Sequence, residues 1–131
     1  MPEWIGFAAP TPGRPASSRH TPKTRAGFAR DLIHTRRLRD HFIPPDILAD
    51  PAWDMLLELY ASHYERQTVT VSSLSLASAV PTTTALRWIG VLSDRGLCDR
   101  LRDTEDGRRT IVQLSERARA QLDAYFDCLI R

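Results

Sequence analysis

The chain has 131 residues, 42% of them hydrophobic, a formal net charge of +2 and two cysteines. That length supports one domain with a real core and hardly two. The apolar runs are too short for a membrane-spanning helix, and Cys98 and Cys128 neither build a disulfide framework nor offer metal-ligand spacing. The charge is uneven. Residues 1–39 carry eight Lys or Arg against two acids, whereas residues 40–131 carry ten against fourteen. A basic N-terminal third adds nonspecific phosphate affinity or stays a solvated tail.

Residues 1–22 are rich in proline, with Gly, Ser and Thr between. Such a stretch buries too little surface to offset its ordering entropy and reads as a disordered or extended arm, in which Trp4, Ile5 and Phe7 stand out. Its start, "MPEWIGFAAPTPGRPASSRH", lacks the basic-then-apolar order of a secretory signal, so a cytoplasmic location is expected. Residues 23–131 are expected to form the folded domain, its central part covering about 50–115.

From Thr24 to Phe42, Phe28, Leu32, Ile33, Leu38 and Phe42 make an imperfect helical stripe opposite a basic face that includes Arg36, Arg37 and Arg39. "IPPD" stops it. "DPAWDMLLELYASHYER" then opens with Asp50 as N-cap and Pro51 at the first helical position, and Trp53, Leu56, Leu57, Tyr60 and Tyr64 form one face. "TVTV", Thr68 to Val71, reads as a short strand. "SSLSLASAV" reads as a two-turn helix capped by Ser72 or Ser73, with Leu74, Leu76, Ala77 and Val80 apolar. "PTTTALRWIGVLSDRGL" is an amphipathic helix from Pro81 or Thr82 to about Arg95, closed by Gly96 in the position that favours a left-handed cap. Strands at Leu97–Asp103 and Thr110–Ser115 flank "TEDGRR", whose Asp106-Gly107 signals a hairpin. The last helix is capped by Ser115 and carries Ala118, Leu122, Tyr125, Phe126 and Leu129 on one face.

A short helix, a tight turn, a second helix and then a two-stranded hairpin is the order of a winged helix-turn-helix. The fold is therefore expected to be mainly α with a small β-hairpin wing, and with flanking N- and C-terminal helices. In such a fold the start of the second helix enters the DNA major groove. Ala85, Trp88, Ile89 and Leu92 recur at core spacing, which turns Thr82, Thr83, Leu86, Arg87 and Gly90 outward. Threonine hydroxyls bond phosphates or base edges, threonine methyls touch thymine methyls, and Arg87 reaches a guanine edge or a phosphate. Arg108 and Arg109 at the hairpin tip lie along a minor groove or its phosphates, or else pair with Asp103, Glu105 or Asp106. Capping alone also explains a Pro-Thr-Thr-Thr start.

The segment Ser72 to Ala120 resembles the winged core of the MarR family of bacterial transcriptional regulators. The likeness rests on Leu92, Gly96 and Leu97 at the helix end, on Asp106 and Arg108–Arg109 in the wing, and on Leu114-Ser115 before the last helix. The resemblance implies a homodimer on a pseudo-palindromic operator in double-stranded DNA, with the helices Thr24–Phe42 and Ser115–Ile130 at the dimer seam. It implies recognition by Thr82, Thr83, Thr84, Leu86 and Arg87, wing contacts by Arg108 and Arg109, and phosphate contacts by Ser72 and Ser73. It also leaves room for a small-molecule effector that no residue identifies.

Enzyme chemistry finds little support. His34 and His41 are seven residues apart, too far for the usual metal pair. There is no Gly-rich phosphate loop or nucleophile motif, and "DTEDG" lacks the ligand alternation of a calcium loop. No catalytic residue, metal or cofactor is expected. The competing expectation is a winged-helix protein–protein interaction module that does not bind DNA, to which Leu86 on the outer helix face and the acidic excess after residue 40 both point.

Overall fold

The computed structural model describes residues 21–130. Trp4, Ile5, Phe7 and nearly all of the expected arm lie outside them. Five helices and one hairpin follow in the order α1 (Pro22–Arg39), α2 (Pro51–Glu65), α3 (Val71–Ala77), α4 (Thr82–Asp94), β1 (Cys98–Arg102), β2 (Thr110–Leu114) and α5 (Glu116–Leu129). The mainly α winged helix-turn-helix with flanking helices is thus present.

Helix α2 is the centre of the molecule. Asp50 caps it by accepting from the Trp53 N–H at 3.3 Å. Leu57 and Tyr60 are fully buried, and Trp53, Leu56 and Tyr64 partly so. Met55, Leu59 and Ala61 are buried as well, because α2 touches α1 on one side and α3, α4 and β2 on the other. The sequence pattern predicts one covered face; nearly the whole circumference is covered. The helix ends with Arg66 in the left-handed region (φ +57°), and the Gln67 N–H bonds back to Ser62 O at 2.9 Å.

Helix α1 is held differently from the expected apolar stripe. Ala26 and Ala29 are buried and Phe28, Leu32 and Ile33 partly so, but Leu38 and Phe42 are exposed, Phe42 at 77%. The helix stops at Arg39, short of Phe42. Its arginines add a set of charged contacts to this packing. Buried Arg25 donates to Tyr60 Oη (3.1 Å) and Asp127 Oδ1 (3.2 Å) and pairs with Asp123 (3.3 Å). Arg30 pairs with Glu58 and Glu65, and Arg36 and Arg37 close on buried Asp54. Arg39 donates to Leu48 O at 2.9 Å. The basic face expected to be exposed beside a dimer seam is instead half-buried at Arg36, Arg37 and Arg39. Sequence periodicity weighs apolar spacing and cannot see that the acids of α2 and α5 stand opposite.

Two further expectations change. Thr68 to Val71 forms no strand of its own; Thr70 makes an isolated bridge with Ile111, and the Val112 N–H donates to Val69 O at 2.8 Å. Thr70, not Ser72 or Ser73, caps α3, and Ser73 completes the capping box. The β-branched pattern resembles a strand because these residues do reach the hairpin before turning into the helix. Leu76, Tyr125 and Leu129 have the spacing of apolar faces but are exposed at 82%, 42% and 42%.

Removing Arg25 strands the buried Asp127 without its cation and leaves the half-buried Asp123 to Arg119 alone. Arg25→Ala is expected to destabilise the fold by about 3–5 kcal/mol in a urea titration. Burial, and then the Asp123 carboxylate, push the Tyr60 hydroxyl well above its ordinary value, and Tyr64 moves the same way. The unfolded chain therefore releases these protons first, from about pH 10 upward. The stability tied to neutral Tyr60 is intact below that pH and is lost as pH rises toward the folded value. Alkaline titration should show tyrosinate absorbance from Tyr60 appearing together with loss of helical circular dichroism, and Tyr60→Phe should flatten that loss.

Candidate nucleic-acid interface

The outer end of the winged core is built by α3, α4 and the hairpin. In α4, Ala85, Ile89 and Leu92 are buried and Trp88 is partly so, which leaves Thr82, Thr83, Leu86 and Arg87 exposed and Thr84 half-buried. Pro81 occupies the N-cap position and no side chain caps the helix. The three threonines are therefore not capping residues. The first backbone N–H of the helix bonded back into it is that of Ala85, to Pro81 O at 2.9 Å. The N–H groups before it face outward with the partial positive charge of the helix start.

Behind α4, the chain turns on Gly96 at φ +71°. The Leu97 N–H donates to Leu92 O (2.8 Å), the Ser115 N–H to Leu97 O (3.0 Å), and Ser115 Oγ to Gly96 O (2.7 Å). Arg117 donates to Arg95 O at 2.6 Å. The end of α4, the start of β1 and the start of α5 are thereby joined at one point. Cys98 is buried beneath it, and burial, then Asp99, push its thiol up to about 11, so it stays protonated at neutral pH.

The hairpin pairs Cys98 with Leu114 and Arg102 with Thr110. Asp106-Gly107 does not form a two-residue turn. The Asp103 N–H bonds to Arg109 O at 3.1 Å, closing a wider loop. Inside it, Asp103 Oδ1 accepts from the Glu105 N–H (2.9 Å) and Asp106 Oδ1 from the Arg108 N–H (3.1 Å). These carboxylates shape the wing. Asp103 also holds Arg109, whose Nε lies 3.4 Å from Oδ2. Arg108 has no ion pair among the described residues.

A groove of about 560 Å³ runs between α3, α4 and the wing, and its walls include Ser72, Ser73, Leu86, Arg108 and Arg109. Five of the nine sequence-derived candidates thus meet in one concavity. Thr82, Thr83 and Thr84 stand at the head of α4 and do not line it, and the Arg87 guanidinium lies 5.8 Å from the Trp88 ring. Ser72 and Ser73 are both exposed, and Ser73 Oγ is engaged with Thr70. Thr68, Thr70 and Thr110 also line the groove. Sequence reasoning misses them, because the segment before α3 reads as a strand.

The electrostatics differ from the sequence expectation. Residues 70–115 carry six arginines against five acids, and Asp54, Glu58, Glu65, Asp123 and Asp127 of α2 and α5 are partnered by α1. Among the described residues Arg87, Arg100, Arg102 and Arg108 have no ion pair.

This geometry defines a winged helix-turn-helix flanked by two helices. No protein-family profile and no curated protein matches the sequence. Solved structures do match. The Staphylococcus aureus MepR–DNA complex is 17% identical over 79% of this chain and 77% of that one, with a TM-score of 0.56. MepR bound to ethidium bromide is 18% identical over 79% and 74%, with a TM-score of 0.53. A mutant of Escherichia coli MarR, with serine in place of a cysteine, is 17% identical over 79% and 74%, with a TM-score of 0.53. The likeness is one of fold, and the chain has the MarR-like winged-helix fold.

Proposed function

We propose that this protein is a sequence-specific transcriptional regulator that binds operator DNA as a homodimer, with α4 in the major groove and the wing of residues 103–110 beside it. The observation that carries this is the groove in which Ser72, Ser73, Leu86, Arg108 and Arg109 converge next to an uncapped helix start. Hydroxyls, guanidinium groups and free N–H groups around one concave track suit a phosphodiester backbone. Thr82, Thr83, Thr84 and Arg87 then face base edges or the adjoining phosphates. Control is by occupancy, with no chemistry of the protein's own. A small-molecule effector is part of the proposal by likeness to ethidium-bound MepR.

The homodimer is supported by apolar surface outside the winged core. Leu38, Phe42, Ile43 and Ile47 are exposed at 48%, 77%, 45% and 70% at and after the end of α1, and Leu129 at 42% on α5. Phe42→Asp should convert a dimer to a monomer in light scattering, costing association roughly 3 kcal/mol or more.

DNA binding is tested by fluorescence anisotropy against the duplex upstream of the coding region, beside a scrambled duplex, across a salt series. Preference for the upstream duplex is expected. Arg87→Ala should cost about 1–3 kcal/mol of specific binding and relax the preference. Arg108→Ala should weaken both duplexes alike and lower the salt slope by about one. Arg109→Ala should do less, since Asp103 already holds that side chain. Leu86, half-exposed on the recognition face, favours the protein-interaction module as second reading. Absence of binding to this duplex and to pulled-down genomic fragments would establish that module instead.

A further inference from the structure

Resting on the assignment of α4 as the recognition helix, we propose that Leu86 reads a thymine through its C5-methyl group, making thymine obligatory at one position of the operator half-site. Leu86 is 47% exposed. It lies one turn beyond Thr82 and Thr83, on the flank of α4 beside the buried face of Ala85, Ile89 and Leu92. Its neighbours around the groove are the apolar Val71 and the polar Ser72, Ser73, Arg108 and Arg109. Beside those hydroxyls and guanidinium groups, the isobutyl group keeps about half of its surface uncovered by its own chain. In the major groove a single base carries an alkyl group, and that is thymine. Guanine, adenine and cytosine present donors and acceptors there. Leu86 strips water from such atoms without replacing it, which disfavours those bases. The exposed methyls of Thr82 and Thr83 extend the same apolar stripe toward the helix start. Arg87, by contrast, supplies the charged fork on the adjoining edge.

The experiment uses the full-length chain to enrich sequences from a randomised duplex library, followed by synthesis of the enriched duplex with deoxyuridine replacing each thymine in turn. Uracil keeps the hydrogen-bonding edge and lacks only the methyl. The expected result is one position per half-site where uracil weakens wild-type binding about fourfold, the worth of one buried methyl group, and leaves Leu86→Ala binding unchanged. Leu86→Gln serves as a second variant that preserves side-chain bulk. Selected afresh, it should enrich adenine at that position, since glutamine bonds the adenine edge in two places. If uracil lowers wild-type and Leu86→Ala binding equally everywhere, or lowers neither, the proposal is overturned while the regulator assignment stands. If no sequence is enriched at all, the regulator assignment fails and this proposal fails with it.

Discussion

The guanidinium of Arg25 ties the first helix to the last and to the centre. It reaches Tyr60 on α2 and Asp123 and Asp127 on α5, and Tyr60 and Tyr64 both donate to the same Asp123 oxygen, at 2.7 and 2.6 Å. A buried cation with two acids is a weak source of net stability, because desolvation offsets most of the attraction. What it supplies is discrimination. A flanking helix of low apolar content has few packing reasons to choose one register along α2. Here the ladder of Arg25, Arg30 and the Arg36–Arg37 pair, set against Asp127, Glu58, Glu65 and Asp54, selects it. A slip of one turn would leave several charges buried and unpaired.

That ladder also redistributes the field of the molecule. Counted along the chain, the basic charge lies early and the acidic charge late. Folding cancels one against the other between α1, α2 and α5, and of the winged part's arginines Arg108 and Arg109 reach the groove. A charge count per segment therefore does not tell which charges are paired. The mechanical frame follows the same division. The flanking helices are joined by charge as well as by apolar contacts such as Phe28 on Phe126, whereas the winged part is joined by backbone bonds at Gly96, Leu97 and Ser115, which fix the hairpin to the end of α4.

Most of the fold was legible in the sequence where the signal is local. Asp50 and Ser115 cap as their positions suggest, Gly96 takes the left-handed turn, and Ala85, Ile89 and Leu92 face inward at helical spacing. The order of elements was enough to name the winged helix-turn-helix. What could not be read depends on partners far away in the chain. The burial of Arg25 depends on Asp127, and the burial of Asp54 depends on Arg36 and Arg37. Thr70 looks like a strand residue until it is seen bridging Ile111 while capping α3. Leu76 has the right spacing for a core position, but α3 is only seven residues long and turns it outward. At the candidate site, residue types and outward facing were legible. The meeting of Ser72, Ser73, Leu86, Arg108 and Arg109 in one groove was not, because it is a property of three elements packed together.

The three threonines at the head of α4 do nothing for their own helix. As capping residues they would bond the free N–H groups of the first turn, and no such bond is made. As helix formers they are mediocre, since branching at Cβ restricts their rotamers. Their placement thus costs the isolated helix something and satisfies nothing within it. A local choice that disagrees with local propensity, and that sits on an outward face, is where function most often departs from folding rules. Leucine at position 86 breaks the pattern in the opposite sense, being well suited to a helix but poorly suited to water. Both departures lie on one face, one turn apart, and under the proposed DNA binding a surface that offers methyl groups beside hydroxyls and guanidinium groups resolves them together. The duplex major groove, lined by phosphates and marked by thymine methyls, has the complementary chemistry.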